Sequence, residues 1–163
     1  MRKSRTLTSA MVVLWLLAAP AGLAQNGGKS KYTPVAKYDP QRNADADIQA
    51  AVKEAQRTHR RILLEVGGLW CSWCRTLDNF FETHRELLQL REASFVTVKI
   101  NFSPENENKE VLSRYPAIEA YPHLLVLDSE GKFLHSQGTG VLESGHSYDL
   151  GRLTGFLKTW AKP

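Results

Sequence analysis

Ile62-Leu63-Leu64-Glu65-Val66-Gly67-Gly68, followed by Leu69-Trp70-Cys71-Ser72-Trp73-Cys74, is the stretch on which the fold turns. The apolar run Ile62–Val66 is short and bounded by glycines, as a buried central strand is. Arg75 to Leu90 beyond it has the apolar positions of a helix: Leu77, Phe80, Phe81, Leu87, Leu88 and Leu90. Thr83-His84 marks a break or kink in that run, with His84 read as a surface residue. The two cysteines therefore stand where a strand ends and a helix begins. Free backbone N–H groups and the positive end of the dipole collect at a helix N-terminus. Both favour a thiolate, the nucleophile of disulfide exchange. A second cysteine one turn on is placed to resolve a mixed disulfide.

These are the only 2 cysteines in the chain, which weighs against other uses of Cys-x-x-Cys. A structural zinc site wants four ligands, usually in two pairs. The 5 histidines are scattered. A c-type haem site needs His after the second cysteine, where this chain has Arg75. A purely structural bridge would close a very short loop, and short loops stabilise least. Cofactor and metal are both expected to be none.

At 163 residues the chain suits one domain, and 42% apolar content is enough for a core without disulfides. Residues 1–24 read as a signal peptide. Arg2, Lys3 and Arg5 form its basic region, Ala10–Ala19 its apolar region, and Gly22-Leu23-Ala24 its cleavage site. Removing that leader lowers the formal charge from +4 to about +1, so the basicity belongs largely to the leader. No basic patch with interleaved aromatics points to nucleic acid. Export implies an oxidising compartment, where cysteine pairs persist as disulfides. The last residues carry no ER-retention signal, which favours the bacterial periplasm, with secretion as the other option. Residues 25–39 read as a flexible lead-in and 40–163 as the folded domain.

Within that domain Asp45–His59 predicts a helix, with Ile48, Ala51, Val52 and Ala55 on one stripe. Tyr32–Tyr38 reads as a short edge strand weakened by Pro34. Phe95–Asn101 alternates as a strand does, and Lys109–Arg114 makes a short helix. Tyr121-Pro122-His123 opens the apolar run Leu124–Leu127. Proline at the mouth of a central strand is unusual, and a cis bond is one way to place it. Asp128–Gly131 has turn chemistry, Phe133–Gln137 returns, and Ser147 or Asp149 caps a last helix to about Ala161. Gly151 and Gly155 in that helix point to close packing on the sheet. A buried charged Glu65 is costly; burial would raise its pKa and let it exchange protons near neutrality. The alternative turns it to solvent or onto a salt bridge.

The order strand, Cys-x-x-Cys, helix, strand, helix, proline-led hairpin, final helix resembles the thioredoxin superfamily over about residues 40–161. Trp70 before Cys71, Glu65 six residues before it, Pro122 and Gly138 all match that pattern. The chain also looks like exported thioredoxin-like proteins such as the C-terminal domain of the periplasmic thiol:disulfide interchange reductase. The resemblance implies an α/β fold with a central mixed sheet of four or five strands flanked by helices. It implies a thiol-disulfide oxidoreductase, with reductase the preferred direction and oxidase or isomerase the alternative. A thioredoxin-like chaperone or Cu(I) metallochaperone is a further reading, since soft thiolates suit Cu(I). In the implied mechanism Cys71 is the exposed nucleophile, with Arg75 as a candidate helper. Cys74 is more buried and resolves, and Glu65 takes its proton. Trp70, Trp73, Tyr121 and Pro122 meet the substrate. Partners would be a disulfide-bearing protein substrate and a thiol electron donor, a membrane reductase among the options, with the chain a monomer. Departures from the pattern are Ser72-Trp73 between the cysteines, Tyr121 before the proline, and Glu65 for a buried aspartate.

Overall fold

A computed structural model of the chain describes residues 32–161. The leader read at residues 1–24 and the start of the lead-in lie outside the described residues. Five helices and six strands follow in order. They are α1 (Ala44–Thr58), β1 (Arg61–Gly67), α2 (Ser72–Thr83), α3 (Arg85–Ser94), β2 (Phe95–Asn101) and α4 (Lys109–Leu112). After these come β3 (His123–Leu127), β4 (Phe133–Gly138), the short pair β5 (Glu143–Ser144) and β6 (Ser147–Tyr148), and α5 (Leu150–Trp160).

The main sheet has four strands in the order β2-β1-β3-β4. β1 runs parallel to β2 and antiparallel to β3, so the sheet is mixed. Strand alternation sends Ile62, Leu64 and Val66 to one face, against Ile48, Ala51 and Ala55 of α1. Leu63 goes to the other face with Leu77 and Phe81 of α2, Leu87 of α3 and Leu153 and Leu157 of α5. All of these β1 side chains are fully buried, each contributing roughly 1.5–3 kcal/mol of apolar burial. Helices on both faces are why β1 reads as a continuous apolar run.

The expected edge strand at Tyr32–Tyr38 narrows to one bridge, Val35 to Val98. Pro34 lacks the N–H that a longer pairing needs. Val35 and Tyr38 are nevertheless buried, at 5% and 6% exposure, so the domain takes in residues first read as lead-in. The break at Thr83-His84 separates α2 from α3, and His84 stacks on Phe80 at 4.0 Å rather than standing free. Gly155 would meet nothing within 4 Å if it carried a Cβ, and Gly151 only the Asp149 side chain. Close packing on the sheet therefore does not explain these two glycines.

Candidate active site

β1 ends in Gly67-Gly68, and the chain turns there, with Cys71 N–H donating to the Gly68 carbonyl at 3.1 Å. Cys71 is the N-cap of α2, and the N–H of Cys74 donates to Cys71 Sγ at 3.0 Å. The helix thus starts at Ser72, three residues before the expected Arg75, because the cysteine sulfur serves as its cap. Cys71 and Cys74 form a disulfide, with Cα atoms 5.2 Å apart. Both are buried, at 3% and 1% exposure. That corrects the expectation of an exposed Cys71. What sets Cys71 apart is its place at the helix N-terminus, where a backbone N–H already points at its sulfur. Arg75, the candidate helper, donates instead to the Leu69 carbonyl at 2.9 Å.

Tyr38, Trp73 and Tyr121 pack against this disulfide, and Trp70 lies against Tyr121. Trp70 is 54% exposed, and its indole N–H donates to the Phe102 carbonyl at 2.7 Å. Gly68 makes that bond possible, since a Cβ there would lie 2.5 Å from the indole nitrogen. Tyr121 meets Trp70 edge-on at 5.6 Å and stacks on Phe102 at 4.9 Å. Trp73 is half-buried and sits edge-on to Tyr148 at 5.6 Å. The Tyr121–Pro122 bond is cis. Pro122 is buried, and its carbonyl accepts from Thr139 Oγ1 at 3.0 Å. His123, just beyond it, is packed: Nε2 lies 2.7 Å from Ser136 Oγ, and burial holds its pKa low.

Glu65 is fully buried, but its pKa does not rise. Burial alone would push it up; Lys99 and Arg91 more than offset this and hold the carboxyl below its usual range. Arg91 Nη1 donates to Oε1 at 3.1 Å, and Lys99 Nζ lies 3.1 Å from Oε2, near enough to pair but off the line of a hydrogen bond. Lys99 also donates to Asp78 Oδ1 at 2.5 Å. Asp78 is one-third exposed, and burial is the main reason its pKa is raised. So Glu65 is a salt-bridged carboxylate in a four-charge cluster that opens to solvent at Asp78.

A family described as Thioredoxin-like matches residues 43–129, just over half of the chain. The chain belongs to this thioredoxin-like family. Comparison with curated proteins gives no match. Among solved structures, a disulphide isomerase from Xylella fastidiosa Temecula1 superposes with TM-score 0.65 at 27% identity, over 75% of this chain and 94% of that one. A protein described as DsbH oxidoreductase gives TM-score 0.53 at 22% identity, covering 83% and 94%. The C-terminal domain of DsbD from Neisseria meningitidis, in its oxidised form, gives 0.52 at 16%, covering 77% and 97%. The last two likenesses concern the fold.

Four residues of this thioredoxin-like site escaped the sequence reading: Lys99, Arg91, Asp78 and Tyr38. Lys99 sits opposite Glu65 in the β1–β2 register, so correct strand pairing would have found it. Asp78 lies one helical turn beyond Cys74, on the same face of α2. Arg91 and Tyr38 come from segments with no motif to mark them. Tyr38 also lies outside the residues that the family matches.

Proposed function

We propose that the chain is a thiol-disulfide oxidoreductase acting through Cys71 and Cys74, running as a reductase in an exported setting, the periplasm by preference. The observation that carries this reading is the Cys71–Cys74 disulfide at the N-terminus of α2, beside the cis-proline loop and over a buried carboxylate. In the reductive direction the Cys71 thiolate attacks a substrate disulfide, expels one substrate thiolate and forms a mixed disulfide. Cys74 then attacks Cys71 Sγ and releases the second substrate thiolate, leaving the pair oxidised. A donor dithiol, or two donor thiols in turn, returns two electrons by the reverse steps and leaves as a disulfide. The role of Glu65 toward the Cys74 proton is carried over from the family resemblance; its lowered pKa makes it a charged partner of Lys99 and Arg91 and not the raised-pKa acceptor first expected. Trp70, Trp73 and Tyr121 form the surface offered to a protein substrate; Pro122, expected to share it, is buried and instead shapes the loop that carries Tyr121. The leader at residues 1–24 supports export, and the chain acts as a monomer in this reading.

Direction follows from how strongly the reduced form is held. A dithiol is a strong oxidant when its reduced thiolate is over-stabilised. Here one backbone N–H reaches Cys71 Sγ among the described residues, and the nearby Arg75 is engaged with the Leu69 carbonyl. That modest stabilisation supports a reductase. Isomerase is the second reading, supported by the similarity to the Xylella disulphide isomerase. The reduction potential against glutathione tests the choice. A value at or below roughly −230 mV fits a reductase, and one above roughly −150 mV overturns that direction. Cys71→Ser should abolish dithiol-driven disulfide reduction and Cys74→Ser should trap mixed disulfides; no effect of either change refutes the activity itself.

A further inference from the structure

Tyr38 is 6% exposed and packs in one cluster with Cys71 and Cys74. With the disulfide closed, its buried hydroxyl has no hydrogen-bond partner among the described residues. Leaving a buried donor unsatisfied is unfavourable, which points to a partner in another state of the site. Its position names that partner. A Cβ built on Gly67 would lie 3.0 Å from Tyr38 Oη and would clash with Cys74 Sγ. Phenol oxygen and sulfur thus border the same small space, which the missing side chain of Gly67 leaves open. The ring is held there by Lys99, whose Nζ lies 4.6 Å from its centroid and also pairs with Glu65 and Asp78.

We propose that Tyr38 is a catalytic residue whose O–H donates a hydrogen bond to Cys74 Sγ whenever that sulfur carries the negative charge. When a donor thiolate attacks Cys71 Sγ, a new S–S bond forms and the Cys71–Cys74 bond breaks. The electron pair leaves on Cys74 Sγ, and the phenol meets it there. In the other direction the Cys74 thiolate attacks Cys71 Sγ of a mixed disulfide and expels the substrate thiolate, giving up the hydrogen bond as it does so. The phenol proton stays on oxygen throughout. Burial first, then the charges of Glu65 and Asp78 and the neighbouring Tyr148, hold its pKa well above the ordinary tyrosine value.

This inference rests on the disulfide-exchange reading, and Tyr38→Phe tests it while keeping the ring over Lys99. Three measurements are compared with the wild type: the glutathione redox equilibrium, the pH titration of the reduced pair, and the melting of the oxidised form. At a pH where Cys74 is ionised, the expected result is a reduction equilibrium about tenfold less favourable, which for two electrons is about 30 mV more negative. The thiolate titration should move to higher pH, and oxidised melting should not fall, since the unpartnered hydroxyl is gone. An unchanged equilibrium with an unchanged titration overturns the proposal, whatever happens to melting. If the variant does not fold, the wild type still decides. A Tyr38 Cζ carbon resonance that moves on reduction supports the bond, and one identical in both redox states refutes it. A wild type inert to glutathione defeats the exchange reading and this one together. A reactive wild type indistinguishable from Tyr38→Phe defeats only the role of Tyr38.

Discussion

Lys99→Met is the sharpest perturbation of the charge cluster beneath the cysteines. The substitution keeps the length of the side chain and removes the ammonium that lies 3.1 Å from Glu65 Oε2 and bonds to Asp78. At that separation, with an effective dielectric of about 20, two unit charges attract by about 5 kcal/mol. Part of this is returned, because Lys99 no longer has to be desolvated, and Arg91 still donates to Glu65 Oε1 at 3.1 Å. Removing one partner of a buried pair costs about 3–5 kcal/mol in general, and that is the loss expected at neutral pH. The pH dependence carries the sharper test. In the wild type the folded pKa of Glu65 is depressed, so its contribution is present above the unfolded value of about 4.3 and is lost as pH falls through the folded one. Without Lys99, burial dominates and the folded pKa rises above the unfolded one. The carboxyl then contributes stability that is fully present below the unfolded pKa and lost as pH rises through the folded pKa. The gap between variant and wild type should therefore narrow from about pH 7 to about pH 4. Urea denaturation of both oxidised proteins across that range measures it. A loss under about 1 kcal/mol at neutrality, or a gap that stays constant with pH, would refute the reasoning.

Gly67→Ala puts a methyl group against Cys74 Sγ and 3.0 Å from Tyr38 Oη. Overpacking of this kind costs about 1–3 kcal/mol, and the rate of reaction with a small thiol should drop alongside the melting temperature. Trp70→Ala removes an exposed ring that meets Tyr121 edge-on. It should raise KM for protein disulfides several-fold, by about 1 kcal/mol of lost contact, while reaction with oxidised glutathione stays near wild type. Asp149→Ala deletes the side chain that caps α5 by accepting from Arg152 N–H at 2.8 Å. The loss in chemical denaturation should be about 1 kcal/mol, with the redox equilibrium unmoved.

The parts of this molecule that were legible in the sequence are those in which one residue type has one physical reason to be there. Ile62–Val66 is apolar on both sides of the alternation because helices cover both faces of β1, and that shows without a partner strand. Pro122 stands at the mouth of β3, where a ladder donor would normally be, and the cis bond is how it fits. The β5–β6 turn escaped notice because each strand has only two residues; its signal was Gly145, at φ +61°. Glu65 was legible as an anomaly but not as a charge state. A buried carboxyl has a raised or a lowered pKa according to what faces it, and what faces it comes from β2 and α3. Arg91 is 26 residues further along the chain, in a helix whose other charges face water. The same limit hid Tyr38. Its segment makes a single bridge to the sheet, so no periodicity marks it, and only the fold carries its hydroxyl to the edge of the space beside Cys74. The cysteine motif specifies which atoms exchange electrons. The charged and phenolic groups gathered around those atoms come from the segment before α1 and from β1, α2, α3 and β2, brought together by tertiary contact, and a local motif has no means of encoding them.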